Sequence, residues 1–120
     1  MTALKYFRPD EFDCLCGRPE CDAAPMDMET CLKLDGLRRE FNQPVKITSA
    51  RRCAVHNKKV KGKPTSWHLF GRAVDIHCPD GEYMYRLIVL AIKHGFSFGV
   101  KAGMVHLDTR NTPKPRAFGY

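Results

Sequence analysis

No stretch of this 120-residue chain approaches the roughly 20 consecutive apolar residues that a membrane-spanning helix needs. The opening residues, Met1 to Arg8, lack the apolar core and cleavage site of a signal peptide, so synthesis in the cytoplasm is the expectation. Internal repeats, low-complexity blocks and dividing linkers are also missing, which argues for one domain over 1–120. Acidic residues are scarce: 13 Asp and Glu face 20 Lys and Arg, giving a net charge of +7 and a pI near 9.3. That balance points to an anionic partner, and nucleic acid, acidic lipid and the phosphate-bearing polymers of a bacterial envelope all satisfy it.

What is present is enough for a core, with 43% hydrophobic residues. Residues 9–25 carry Pro, Gly and Asp and read as an irregular N-terminal segment that also holds three cysteines. Apolar residues from Met28 to Phe41 recur at three- and four-residue intervals, predicting a helix over 27–41. Val45 to Ser49 alternates as a half-buried strand, Arg52 to Val60 suits a short helix, and Ala73 to His77 reads as a second strand. Glu82 to His94 is a further helix stopped by Gly95, and Phe98–Val100 and Met104–Asp108 supply two more strands. Residues 111–120 read as a basic tail. Strands and helices do not alternate as regular parallel units, so the predicted class is α+β, with a small, mainly antiparallel sheet flanked by helices.

The chemistry-bearing pattern is dispersed. His68 and Asp75 lie in Ser66-Trp67-His68-Leu69-Phe70-Gly71-Arg72-Ala73-Val74-Asp75-Ile76, and His106 lies in Val105-His106-Leu107-Asp108. Two imidazoles and one carboxylate leave a fourth position open on a zinc ion, the arrangement of a metallohydrolase. Strand residues two apart share a face, so Asp75 with His77, and His106 with Asp108, can converge if their strands are neighbours. Lys58, Lys59, Lys61 and Lys63 precede His68 and form either one lip of the site or a solvated loop. His77 reads as packed or hydrogen-bonded, His94 as a residue at a helix C-terminus and His56 as exposed. Trp67 suits either a cleft wall or a core anchor.

Six cysteines do not by themselves make three bridges, and reduced thiols are the default without a secretion signal. Cys14, Cys16 and Cys21, with Cys31 as a fourth ligand, offer a structural zinc site, although the paired C-x2-C spacing of strong zinc motifs is absent. Cys53 and Cys78 read as small core residues.

Taken with Ile47-Thr48-Ser49-Ala50-Arg51-Arg52, Asn57, Gly62-Lys63-Pro64 and Gly95-Phe96, these motifs resemble the zinc D-alanyl-D-alanine carboxypeptidase and L-alanyl-D-glutamate endopeptidase family over roughly residues 26–110. The S-x-H-x-x-G-x-A-x-D element is the specific part. The resemblance implies the compact α+β fold shared with hedgehog signalling domains, a Zn2+ cofactor and a peptidoglycan stem peptide as substrate. By position it gives His68, Asp75 and His106 the zinc-ligand roles, Arg52 a substrate-binding or polarising role, and Ser66 a substrate contact. The chain is similar to short phage and prophage members, which implies a monomer that acts on the bacterial cell wall after holin-type release, with no obligatory nucleic acid or membrane partner.

One departure stands out: the acidic residue that many relatives place three positions before the last histidine ligand is Gly103 here, and the position two before it is Met104. A group must still move protons, and Asp108 is the nearest carboxylate in sequence. Asp108 is therefore either the catalytic base or a carboxylate that orients a ligand imidazole or pairs with Arg110. Three function classes follow. The first is a zinc peptidase of the cell wall, and the second, kept open by Gly103, is a non-catalytic zinc module of the same fold. The third is a basic nucleic-acid binder, which explains the charge but not the triad.

Overall fold

The computed structural model describes residues 4–120. Its elements are α1 (Met28–Phe41), β1 (Ile47–Ser49), α2 (Ala54–Lys59), β2 (Ala73–His77), α3 (Gly81–Lys93), β3 (Ser97–Lys101), β4 (Met104–Asp108) and β5 (Ala117–Gly119). Short 3-10 helices at Pro9–Phe12 and Trp67–Phe70 complete the set. The five strands form one sheet in the order β1-β2-β4-β3-β5. Only the β3–β5 pair is parallel, so the architecture is α+β with a mostly antiparallel sheet. Among the described residues, no helix is long and apolar enough to cross a membrane.

Local chemistry sets the helix ends. Asp27 caps α1 by accepting from the Thr30 amide at 3.0 Å and its hydroxyl at 2.7 Å, and Asn42 ends the helix in the left-handed conformation. Asp80 caps α3 by accepting from the Tyr83 amide at 2.8 Å. Along α1, Cys31, Leu34, Leu37 and Phe41 turn inward, and Leu87 and Ala91 of α3 meet the same core. The Thr30 hydroxyl also meets that of Thr109, tying α1 to the end of β4.

The sheet separates core from chemistry through its two-residue period. Val74 and Ile76 of β2, with Val105 and Leu107 of β4, enter the helix-covered core. Asp75, His106 and Asp108 therefore point to the opposite face, yet they too are buried. A fully buried Leu or Phe stabilises by about 1.5–3 kcal/mol, so the core side of these strands holds the site side in register.

Two regions depart from the expectations. Phe12 of the irregular segment and Phe7 just before it are buried in the core and pack tilted against each other with ring centroids 5.7 Å apart, so that segment is part of the packing. The tail is not merely basic: Ala117–Gly119 adds β5, with the Phe98 amide donating to Arg116 O at 3.0 Å and the Arg116 amide donating to Ser97 Oγ at 2.9 Å. Pro113 and Pro115 break only the connection, and the aromatic residues Phe118 and Tyr120 beyond it return to the sheet.

Candidate metal centre

Register builds the site. β2 and β4 pair antiparallel with Asp75 directly opposite His106, and the 3-10 helix at Trp67–Phe70 brings His68 over the same carboxylate. His68 Nε2 lies 3.2 Å and His106 Nδ1 3.0 Å from Asp75 Oδ1. All three side chains are buried, and the two imidazole rings meet edge to face with centroids 5.1 Å apart.

The other nitrogen of each ring is already committed. His68 Nδ1 lies 2.6 Å from Ala50 O, and donating to that carbonyl leaves Nε2 free as a ligand. His106 Nε2 lies 2.7 Å from Asp108 Oδ2, leaving Nδ1 to face Asp75. Asp108 is in turn held by Arg110, whose Nε and Nη2 donate at 2.9 and 2.7 Å. Two imidazole nitrogens with fixed tautomers and one carboxylate oxygen, clustered within 4.8 Å of one another, fit the tetrahedral needs of Zn2+.

These contacts shape the titration of the group. Burial works to raise the Asp75 pKa, but the His106 and His68 imidazoles outweigh it and hold the carboxylate well below its usual range. For His106 burial pulls downward, and Asp108 with Asp75 more than reverses it, so its pKa is raised. Burial also opposes ionisation of Asp108, against which Arg110 and His106 win, and its pKa is lowered.

Gly71 explains the glycine of the S-x-H-x-x-G element. Its φ of +67° is left-handed, and a Cβ there would stand 2.1 Å from Pro25 O. Gly103 has an equally local cause: it occupies the second position of the two-residue turn joining β3 to β4, with φ of +74°, where glycine is favoured. The turn geometry thus takes the position that many relatives give to an acid.

Arg52 is buried and anchored on three sides. It donates from Nη2 to Asp75 Oδ2 at 3.3 Å, from Nη1 to Asn57 Oδ1 at 3.2 Å and from Nε to Ser49 Oγ at 3.1 Å. Ser66 caps the 3-10 helix, its hydroxyl accepting from the His68 amide at 3.3 Å, and it stands at the cleft wall. Trp67 lines the same cleft and packs on Phe70 with ring centroids 5.5 Å apart. The cleft encloses about 580 Å³. Lys61 and Lys63 line it, while Lys58 and Lys59 do not. Lys101, Arg52 and Arg110 add further positive charge, and Asp75 is the single carboxylate in its lining among the described residues.

Tyr120 was not legible as a site residue. Its hydroxyl donates to Asp75 Oδ2 at 3.0 Å and lies 3.3 Å from His68 Nε2, and its ring stacks on His106 at 4.5 Å. Burial, reinforced by the Asp75 charge, pushes its pKa up to about 12, so the phenol keeps its proton at neutral pH. Only the β5 connection brings it there, and its aromatic, tail-end placement was the sole sequence hint. His77 is exposed, and His94 caps the C-terminal end of α3 with Nε2 2.8 Å from Glu40 Oε1. His56 is half-buried rather than exposed, because α2 folds its ring inward.

The cysteines need correction. Cys31 is not the fourth member of the N-terminal group: it sits on the buried face of α1, in the core. The residue that joins Cys14, Cys16 and Cys21 is Cys53, which is buried at the head of α2 but is not a simple core residue. Cys78 is buried in the core as expected.

No curated protein matches the chain. The peptidase M15 family model matches residues 5–108, a span that includes His68, His106, Asp75 and Arg52. With that match running from the irregular segment to the end of β4, the chain belongs to the peptidase M15 family of zinc-dependent metallopeptidases.

Proposed function

We propose that this chain is a zinc-dependent peptidase that hydrolyses peptidoglycan stem peptides, as a D-Ala-D-Ala carboxypeptidase or an L-Ala-D-Glu endopeptidase of endolysin type. The observation that carries the reading is the convergence of His68 Nε2 and His106 Nδ1 on Asp75 Oδ1 at a cleft lined with cations. His68, Asp75 and His106 would hold the zinc, which when bound supplies a Lewis acid that activates water and polarises the scissile carbonyl.

The chain's own residues supply binding and proton placement. Lys61, Lys63 and Lys101 surround the cleft with positive charge, which suits the free carboxylates that both stem-peptide bonds carry nearby. Arg52, fixed by Ser49, Asn57 and Asp75, presents a planar guanidinium to a substrate carboxylate or developing oxyanion. Asp108 suits the orienting role better than the catalytic one. It is fully buried, and the His106 ring stands between it and Asp75. The Tyr120 hydroxyl, protonated and beside the ligand set, is the donor best placed to hold a proton against negative charge in the cleft.

A second reading, a non-catalytic zinc module of the same fold, draws on Asp75 being the one Asp or Glu in the cleft lining among the described residues. Incubation with purified peptidoglycan, with and without a chelator, followed by mass spectrometry of the released fragments separates the two. Chelator-sensitive release of D-alanine, or of fragments opened between L-alanine and D-glutamate, is the expected result. Intact peptidoglycan at full zinc loading of His68, Asp75 and His106 would establish the non-catalytic module.

A further inference from the structure

A second cluster lies outside the cleft. Ligand atoms of Cys14, Cys16, Cys21 and Cys53 all fall within 4.8 Å of one another, and the Cys14 and Cys53 sulfurs are 3.7 Å apart. Four sulfurs placed at 2.3 Å around a zinc ion form a tetrahedron whose edges are about 3.8 Å. The Cys14–Cys53 pair stands at that edge length, and the other sulfurs lie close enough to close on one ion.

Backbone donors surround them as they surround anionic sulfur. The Cys53 amide donates to Cys14 Sγ, the Arg18 amide to Cys16 Sγ and the His56 amide to Cys53 Sγ, each at 3.4 Å. Arg18 Nη2 adds a fourth contact, 3.6 Å from Cys53 Sγ. N–H groups aimed at sulfur spread the charge of coordinated thiolates and fix their orientation. Among the described residues, Cys31 and Cys78, buried in the core, have no comparable set.

We propose that Cys14, Cys16, Cys21 and Cys53 form a closed structural zinc site, distinct from the His68, Asp75 and His106 centre. Four thiolates fill a tetrahedral ion, so this zinc has no open position and does no hydrolysis. Its work is mechanical. It clips the irregular N-terminal segment to the corner that carries Arg52, whose amide donates to His68 O at 3.0 Å and whose guanidinium reaches Asp75. The Arg51 amide donates to Phe12 O at 3.3 Å, and Arg51 Nη1 to Ala23 O at 3.2 Å, so the same corner carries further ties to that segment.

The site stands independently of the peptidase reading, and elemental analysis tests it on the full chain purified with zinc. Wild type is expected to carry two zinc ions per chain. Cys14→Ser combined with Cys53→Ser should leave one, His68→Ala should also leave one, and the core control Cys31→Ala should keep two. Cobalt substitution guards against variants that fail to fold. Wild-type protein and His68→Ala should both show thiolate-to-cobalt charge-transfer absorption in the near ultraviolet. One zinc in wild type that disappears in His68→Ala, with no such absorption, overturns the proposal. So does a thiol titration of the denatured, unreduced wild type that finds four cysteines consumed in disulfides, or one iron in place of the second zinc. Loss of peptidoglycan cleavage with two zinc ions retained would instead count against the proposed function alone.

Discussion

The His68, Asp75 and His106 cluster rests on paired strands, whereas the four cysteines gather on turns and at the head of a six-residue helix. On the strands, ladder register sets two ligands opposite each other, the helix-packed face fixes their height, and one side stays open to a cleft lined by Lys61, Lys63 and Lys101. On the turns no ladder supplies that order, and amide-to-sulfur bonds from residues 18, 53 and 56 do so instead. A hydrogen-bonded ladder thus carries the geometry proposed for the open zinc centre, and turns without a ladder carry the one proposed for the closed centre.

That contrast is broken most directly by removing a strand-borne ligand. His68→Ala should reduce peptide hydrolysis to background and remove zinc from the open centre while the fold survives, because the sheet does not depend on the ion. Circular dichroism with elemental analysis checks this, and wholesale unfolding would show that the strands are not the independent scaffold described.

Arg52 joins the two regions, standing beside Cys53 and touching Asp75. Arg52→Lys should keep fold and metal but lower turnover roughly 10- to 150-fold, the equivalent of about 1.5–3 kcal/mol for a hydrogen bond to a charged group. Kinetics on the zinc-loaded variant measure it, and wild-type turnover would reduce Arg52 to a structural cation.

Asp108→Asn sharpens how the open centre is supported. An orienting carboxylate predicts zinc affinity lowered about 10- to 100-fold, with activity recovered in excess zinc. A general base predicts a loss of about two to four powers of ten that zinc does not restore. Tyr120→Phe should have a smaller effect, roughly 2- to 12-fold on turnover, as expected for one neutral hydrogen bond worth about 0.5–1.5 kcal/mol. Unchanged turnover would make the tyrosine a packing residue of β5.

The smallest effect lies away from both clusters. Asp27→Ala should destabilise by about 1 kcal/mol at pH 7 through loss of the α1 cap. Burial acts to raise the Asp27 pKa, but the Thr30 hydroxyl and amide overcome it and the pKa is lowered. A carboxylate with a lowered folded pKa contributes its stability above the unfolded value of 3.8 and loses it as pH falls through the folded one. The difference between wild type and variant should therefore shrink in acid, as melting temperatures across pH will show.

Legibility followed the same divide. The β2 limits were readable because Val74 and Ile76 alternate with Asp75, and β4 likewise because Val105 and Leu107 flank His106. Helices α1 and α3 fell within a residue of their expected limits, since Asp27, Asn42 and Asp80 mark the ends chemically, whereas α2 begins at Ala54, two residues after its expected start. The facing of Asp75 and His106 required strand pairing, which periodicity permits but does not assign. Cys53 and Tyr120 were missed because their partners are distant in the chain, at separations of 39 residues to Cys14 and 52 to His68. No local pattern records such contacts. Residues 111–120 read as a basic tail, and Pro113 and Pro115 hide the strand that follows them, although its partner β3 lies beside it in space.

The central claim is that hydrolysis depends on zinc at His68, Asp75 and His106. Its most direct test is to strip the wild-type protein with a chelator, return zinc in measured steps, and follow peptidoglycan cleavage against occupancy of that centre. Cleavage is predicted to vanish on stripping and to return in proportion to occupancy of the His–Asp–His centre. Cleavage that persists with that centre empty would contradict the account.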